Sequence, residues 1–186
     1  FAEIAALQKQ GDWETAGKVL AYEAKALEKA DVACVILCTN TMHKVTEHIE
    51  NAINVPFIHI ADATAKEIKA KNIKKIGLLG TAFTMEQDFY KSRLQAQGID
   101  VIVPQTNERQ IIHEVIFNEL CCGIIKEDSK QKYIDIANQL IAEGAEGIIL
   151  GCTEICMLIG DVEFSVPTFD TTTIHAMAAV DFALAE

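Results

Sequence analysis

The chain has 186 residues, of which half are hydrophobic and 23% are charged, and its formal net charge at pH 7 is −11. This composition is ordinary for a soluble globular protein with a sizeable core, and the excess of negative charge argues against nucleic acid and membrane surfaces as partners. The six cysteines lie in apolar segments, as free thiols of a reducing compartment do. We find no run of about 18 apolar residues and no signal peptide, so we expect a cytoplasmic protein.

Helical and strand patterns alternate along the chain. In chain order we predict helices over 1–10 and 13–30, a strand over 31–38, a helix over 42–52, a strand over 54–60, a helix over 63–72 and a strand over 74–80. There follow a helix over 85–97, a strand over 99–104, helices over 109–123 and 129–145, strands over 146–151 and 166–170, and a closing helix over 171–185. Asp12 and Thr84 are predicted N-caps, and Gly98 and Gly144 are predicted C-terminal stops. This order predicts an α/β fold with mostly parallel sheets flanked by helices.

Three predicted strands end in small polar residues: Cys38-Thr39-Asn40-Thr41, Gly80-Thr81 with Thr84 close behind, and Gly151-Cys152-Thr153-Glu154. In parallel sheets, ligands bind beyond the carboxyl ends of the strands. Hydroxyl, amide and helix N-terminal N–H groups suit a bound anion, and specifically a carboxylate. A thiol at a helix N-terminus is also of the kind whose pKa is lowered towards reactivity. The sequence therefore predicts a carboxylate-binding pocket with cysteine at its floor.

Other interpretations of the cysteines are weaker. A cysteine at a strand end is more often an inert packing residue than a reactive one. A zinc site is disfavoured because Cys34 and Cys38, four residues apart in a strand, would be separated by about 13 Å. A cysteine hydrolase needs a histidine and an orienting amide or acid beside the thiol, and none of the five histidines carries a local signature of that role. Cys121 and Cys122, near a helix end, are interpreted as packing residues.

The pairing of two cysteine motifs is the strongest functional signal in the sequence. A reaction that inverts a stereocentre needs two proton-transfer groups on opposite faces of the substrate. A thiolate and a thiol suit this work, because one abstracts a proton, the other donates one, and the roles exchange in the reverse direction. Cys38 and Cys152 are therefore the predicted catalytic residues.

The chain resembles the aspartate/glutamate racemase family, the cofactor-independent amino-acid racemases. The resemblance rests on CTNTMH at 38–43, GTAFTM at 80–85 and GCTE at 151–154, and on the flanking segments HIADAT at 59–64, MEQDFY at 85–90 and FDTTTIHA at 169–176. The second motif of glutamate racemases reads Cys-Thr-His, whereas this one reads Cys-Thr-Glu. That difference points to the aspartate or broad-specificity branch.

The resemblance implies two similar α/β domains related by pseudo-twofold symmetry, with the active site between them and one catalytic cysteine in each. We place the first domain at 1–60 plus 167–186 and the second at 61–166. Since the sequence opens on Phe1 without Met, we expect the first domain's opening strand to lie outside this sequence. Family members carry a glycine-serine loop and an arginine region at that end.

The resemblance also implies a set of substrate-binding residues. Positions that line the pocket around the substrate's α-carboxylate and amine are matched by Asn40, Thr41, Thr153 and Glu154. Carboxylate-binding positions are matched by Thr81 and Thr84. Lys126 lies near a family lysine that recognises the side-chain carboxylate of the substrate, although the local spacing differs.

We therefore expect a racemase that interconverts L- and D-aspartate, with glutamate as a further substrate, and that uses no pyridoxal phosphate, metal ion or other cofactor. We also expect the protein to bind a small-molecule amino acid as its substrate. We expect it to form a homodimer. Two alternatives stay open. One is a related two-cysteine isomerase of the maleate isomerase or hydantoin racemase type, and the other is a non-catalytic carboxylate-binding protein on the same scaffold.

Overall fold

The computed structural model describes residues 2–160 and 164–185, and it contains two parallel sheets flanked by helices. The strands are β1 (Val35–Ile36), β2 (Phe57–Ile58), β3 (Lys75–Gly80), β4 (Asp100–Ile102), β5 (Ile148–Gly151) and β6 (Thr168–Asp170). The helices are α1 (Ala2–Gln10), α2 (Trp13–Lys29), α3 (Thr46–Glu50), α4 (Ile60–Ala70), α5 (Ala82–Glu86), α6 (Asp88–Gln95), α7 (Thr106–Asn118), α8 (Glu127–Ala142) and α9 (Thr171–Leu184). Short 3₁₀ turns lie at Thr41–Val45, Leu120–Cys122 and Ile155–Met157. The predicted α/β class is confirmed.

Strands β3 and β5 lie side by side at the centre of the larger sheet, whose order is β4-β3-β5-β6. Their register places Gly80 opposite Gly151, so the two strands end at the same level. The close approach of the β3 backbone to the end of β5 explains the glycine there, because a Cβ atom on Gly151 would lie 2.7 Å from the carbonyl oxygen of Leu79. Parallel pairing therefore brings the residues that follow β3 and β5 to one edge of the sheet.

The main hydrophobic core surrounds this larger sheet. Ile76, Leu78, Ile148 and Ile149 are fully buried between the helices on its two faces, as their continuous apolar runs predict. The smaller sheet pairs β1 with β2 over two residues each and has its own small apolar cluster around Val35. Both of its strands are shorter than predicted, because each has a single neighbour among the described residues. None of the described helices is long and apolar enough to cross a membrane.

The helix that follows β3 begins earlier than predicted. Thr81, not Thr84, is the N-cap: its backbone is extended and its Oγ1 accepts a hydrogen bond from the Thr84 backbone N–H at 3.3 Å. The prediction that Thr84 caps this helix is therefore wrong. The single predicted helix is also divided into α5 and α6 by an extended residue, Gln87. As a result, the Thr84 hydroxyl lies inside the first turn of α5 and is buried beside that of Thr81.

The C-terminal segment joins the two sheets. Strand β6 is hydrogen-bonded to β5 in the larger sheet, although the sequence-based division grouped 167–186 with the first domain. Helix α9 packs on α4 and contacts β2, where the ring Nε2 of His175 donates a hydrogen bond to the Ile58 carbonyl oxygen at 2.7 Å. The domain division stays a prediction, and parts of it (Phe1, 161–163 and Glu186) fall outside the described residues.

Candidate active site

A cavity of about 160 Å³ lies between the carboxyl ends of β1, β3 and β5, and both predicted catalytic cysteines line it. Cys38 comes from the loop after β1 and Cys152 from the end of β5, so the two thiols reach the cavity from different sheets. Five of the predicted binding residues line the same cavity: Asn40, Thr41, Thr81, Thr153 and Glu154. Thr84 lies behind Thr41 and Thr81, and bonds to both.

Lys126 is not among the residues that line this cavity. It is exposed at the start of α8, where its ammonium lies 3.1 Å from the carboxylate of Glu119. Lys126 therefore makes no contact with this cavity that would support its predicted role in recognising the side chain of the substrate.

The thiol of Cys152 is bonded to an acid. Its Sγ donates a hydrogen bond to Oε2 of Glu154 at 3.0 Å, and the Thr153 hydroxyl donates to the same oxygen at 2.7 Å. Burial raises the pKa of the Cys152 thiol well above its ordinary value, and the negative charge of Glu154 raises it further. The expectation of a lowered thiol pKa is therefore wrong for Cys152. Among the described residues directly after β5, the first helical element is a 3₁₀ turn of three residues, Ile155–Met157, and not the α-helix N-terminus that the prediction assumed.

Cys38 lies in a different environment on the other side of the cavity. Its side chain is exposed, and the loop that carries it is tied down by His43. The ring Nε2 of His43 accepts a hydrogen bond from the Ile60 N–H at 3.1 Å, so the proton is on Nδ1, which donates to the Thr39 carbonyl oxygen at 2.7 Å. His43 therefore holds the backbone next to Cys38 and is not a proton acceptor for its thiol.

The hydroxyls of Thr41 and Thr81 form one polar wall of the site, with that of Thr84 behind them. The Thr41 Oγ1 lies 2.9 Å from that of Thr81 and 3.4 Å from that of Thr84, and the last two are 3.2 Å apart. All three residues are buried. Hydroxyl groups turned towards a cavity can donate to a carboxylate without a basic side chain, as the sequence predicts for this edge of the sheet.

The amide of Asn40 has an orientation fixed by its neighbours. The Thr171 hydroxyl donates to the Leu150 carbonyl oxygen at 2.9 Å, so it must accept the bond from the Asn40 side chain, which is 3.0 Å away. Asn40 therefore donates from Nδ2 to Thr171. Its Oδ1 is a buried acceptor without a hydrogen-bond partner among the described residues. A buried acceptor in a cavity wall suits a donor on the ligand, such as an ammonium group.

If the Asn40 amide oxygen accepts from a bound ligand, as the sequence predicts for this residue, replacing Asn40 by alanine is expected to lower kcat/KM by about 10²-fold. The Thr171→Ala variant is the matched control, since it breaks the same side-chain bond but keeps the amide oxygen. Initial rates on both folded variants, followed by chiral chromatography, measure the difference. Equal losses of kcat/KM in the two variants would mean that Asn40 stabilises the loop and does not bind the ligand.

Three buried histidines pack together beneath the Cys38 loop. The ring of His43 lies 4.4 Å from that of His59 and 5.8 Å from that of His175, centroid to centroid. Burial lowers the pKa of all three, to about 3 for His59, where the nearby Arg93 charge adds to the effect. The three rings are therefore neutral in the folded protein at neutral pH.

We expect this histidine cluster to make the protein acid-sensitive. A folded-state pKa below the unfolded value of about 6.5 means that the unfolded chain binds more protons, so the free energy of unfolding falls as pH drops below about 6.5. For His59 this decline continues down to about pH 3. Urea unfolding at a series of pH values measures it, and His59→Asn, which can still cap α4, should flatten the slope by up to about 1.4 kcal/mol per pH unit. Identical slopes in the two proteins would contradict the prediction.

Sequence reasoning missed one whole side of the cavity. Four further residues line it: Gln8 of α1, Ile116 and Phe117 of α7, and Cys121 of the following 3₁₀ turn. Cys121 packs against the main core, as the sequence predicts, but it also lines the cavity, and nothing in its local sequence marks it for that position. Within 2–160 and 164–185, no three His, Cys, Asp or Glu side chains cluster in a way that could hold a metal ion.

Residues 2–179 match the model of the Asp/Glu/hydantoin racemase family. Over 178 residues the chain is 28% identical to a broad specificity amino-acid racemase of Bacillus subtilis (strain 168), which covers 94% of this chain and 75% of that relative. It is 36% identical to an aspartate racemase homologue of known structure from Pyrococcus horikoshii OT3, with a TM-score of 0.85, over 96% of this chain and 79% of the other. A crystal structure of a candidate Asp/Glu racemase from Yersinia pestis matches at 50% identity and a TM-score of 0.93, over 100% of this chain and 81% of the other.

Proposed function

Because the chain belongs to the Asp/Glu/hydantoin racemase family, we propose that it racemises free α-amino acids with Cys38 and Cys152 as its two proton-transfer groups. The observation that carries this proposal is the delivery of two thiols from different sheets to one cavity. The opposite environments of the two thiols support a division of labour, since Cys38 is exposed whereas Cys152 is held in the protonated form beside Glu154.

The proposed reaction moves only protons. Cys38, as a thiolate, removes the α-proton from one face of the substrate, and Cys152, as a thiol, delivers a proton to the opposite face. The two groups exchange roles for the other enantiomer. Hydroxyl donors of Thr41 and Thr81 stabilise the charge that builds up on the α-carboxylate, while the Asn40 amide oxygen accepts from the ammonium group. The scheme uses no pyridoxal phosphate and no metal ion.

Aspartate is the substrate that the Cys-Thr-Glu motif predicts, with glutamate second. The relative from Pyrococcus horikoshii, an aspartate racemase homologue, supports aspartate. The Bacillus subtilis relative is named for broad specificity, which supports a wider range of amino acids. We therefore expect the shape and charge of the cavity wall to determine which amino acid this chain prefers.

Incubation of the purified protein with single L-amino acids in D₂O tests the proposal. Chiral chromatography reports the D-enantiomer, and mass spectrometry reports deuterium at the α-carbon. We expect inversion accompanied by α-deuteration, without added cofactor. Turnover of maleate or a hydantoin with none of any free amino acid would favour the related two-cysteine isomerases, and binding without exchange would favour a carboxylate-binding protein.

A further inference from the structure

The thiol of Cys38 is carried by a tight turn that follows β1. The Thr39 N–H donates a hydrogen bond to the Leu37 carbonyl oxygen at 2.8 Å, so Cys38 is the central residue of a γ-turn. This one internal hydrogen bond uses the N–H of Thr39 and not its carbonyl group. The direction of the Cys38 side chain therefore depends on what holds Thr39 from outside the turn.

His43 supplies this second constraint on the turn. Its ring is buried, with 2% of the residue exposed, and its Nδ1 donates to the Thr39 carbonyl oxygen at 2.7 Å. Both backbone polar groups of Thr39 are thus bonded, one within the turn and the other to His43. A bond of this length from a buried ring holds the turn in one orientation.

His43 is itself anchored at three points. Its Nε2 accepts from the Ile60 N–H at 3.1 Å, its own N–H donates to the Asn40 carbonyl oxygen at 3.1 Å, and its carbonyl oxygen accepts from the Thr46 hydroxyl at 3.2 Å. His43 is not one of the described residues that line the cavity. It can therefore act on the reaction only through the backbone that it holds.

The binding residues of the same segment have supports of their own. The Asn40 side chain is bonded to the Thr171 hydroxyl at 3.0 Å, and the Thr41 hydroxyl lies 2.9 Å from that of Thr81. Neither contact involves the ring of His43. Loss of the ring's bond to the turn should therefore release the thiol and leave the groups proposed to hold the substrate in place.

We propose that His43 is a positioning residue for the racemisation, and that its Nδ1–H bond to Thr39 aims the Cys38 thiol at the α-carbon of the substrate. The inference rests on the proposed function and concerns one of its two thiols. A displacement of a reacting group by about 1 Å can cost on the order of 10²-fold in rate. The bond that Nε2 accepts from Ile60 stabilises the fold of the segment, so the two ring nitrogens serve different purposes.

Two substitutions separate the two bonds of the ring. The side-chain amide of asparagine can donate from the position of Nδ1, whereas the amide oxygen of glutamine can accept at the position of Nε2. His43→Asn therefore keeps the bond to Thr39, and His43→Gln keeps the bond to Ile60. We expect kcat to fall by about 10²-fold in His43→Gln and by less than about tenfold in His43→Asn, with little change of KM in either.

Exchange of the α-proton in D₂O shows which thiol is affected. In a Cys152→Ala background Cys38 is the remaining thiol of the proposed pair, so His43→Gln should slow exchange there as much as it slows racemisation. His175→Ala is the control, since it removes another buried ring of the histidine cluster together with its bond to the Ile58 carbonyl oxygen. It should lower the urea midpoint and keep the wild-type kcat.

Long-range ¹H–¹⁵N spectra of the wild-type protein add a measurement that needs no variant. They should show His43 with its proton on Nδ1, and a neutral ring with its proton on Nε2 would overturn the inference. Equal kcat values in His43→Asn and His43→Gln, a loss of kcat in His175→Ala as large as in His43→Gln, or a rise of KM alone would also overturn it. An absence of exchange with every amino acid in the wild-type protein would instead overturn the proposed function.

Discussion

Replacing either Cys38 or Cys152 by alanine is expected to lower racemisation by more than about 10³-fold, because inversion needs a proton-transfer group on each face of the substrate. The two thiols line one cavity but come from separate sheets, so neither can take over the position of the other. The L-to-D and D-to-L reactions must be lost together, since the equilibrium constant of a racemisation is one.

The two variants should differ in α-proton exchange. Cys152→Ala keeps the exposed Cys38, which can still remove the α-proton of one enantiomer and return a deuteron to the same face in D₂O. Cys38→Ala keeps only a thiol whose pKa is raised by burial and by Glu154, so its exchange of the other enantiomer should be much slower. The expected pattern is exchange without inversion in Cys152→Ala and little of either in Cys38→Ala.

A control variant separates these effects from loss of folding. Cys34→Ala removes a half-buried thiol that does not line the cavity, and it should racemise at the wild-type rate. Far-UV circular dichroism and urea midpoints should agree among all three variants. Inversion at a near wild-type rate in Cys38→Ala or Cys152→Ala would rule out the two-thiol mechanism.

The sequence contained enough information to locate the centre of this site. A buried parallel strand can be recognised from a continuous apolar run, and parallel strands present their carboxyl ends at one edge. The polar residues after 31–38, 74–80 and 146–151 could therefore be grouped without knowledge of their contacts. The structure brings Cys38, Thr81 and Cys152 to one cavity as that reasoning expects.

The α7 side of the site could not be predicted in the same way. Ile116 and Cys121 look like core residues in sequence, because lining a cavity and filling a core require the same apolar side chains. Their placement depends on how α7 packs against β3, a long-range contact without a local signal. The pKa of Cys152 was mispredicted for a related reason, since the sequence shows a nearby acid but not a hydrogen bond from the thiol to it.

The cap of α5 illustrates a smaller limit. Thr81 and Thr84 are both threonines within four residues of a strand end, and either could begin a helix from its sequence preference. The backbone conformation of Thr81 decides which threonine is the cap. It stays extended after β3, so the Thr81 hydroxyl can accept a hydrogen bond from the Thr84 N–H. Helix boundaries of this kind follow from the geometry of the preceding strand.

Glu154→Gln is expected to lower kcat/KM by about 10²-fold, the usual range for a group that assists proton transfer. The carboxylate accepts the hydrogen bonds of both Cys152 and Thr153, and its charge favours the thiol over the thiolate. In the direction that uses Cys152 as donor, that arrangement keeps the proton in place until the carbanion forms. In the other direction Cys152 must act as a base, and the carboxylate is the group next to it that can accept the displaced proton.

The pH dependence of Cys152 alkylation distinguishes this role from simple packing. Removal of the negative charge should lower the pKa of the thiol, because Glu154 contributes to its rise through charge and through the hydrogen bond it accepts. Mass spectrometry of the Cys152 peptide after treatment with iodoacetamide should therefore show modification beginning at lower pH in Glu154→Gln than in wild type. Thr153→Val, which removes the second bond to the same oxygen but keeps the charge, should shift the profile far less. If Glu154→Gln alkylates with the wild-type profile and racemises at the wild-type rate, the acid has no part in the chemistry of Cys152.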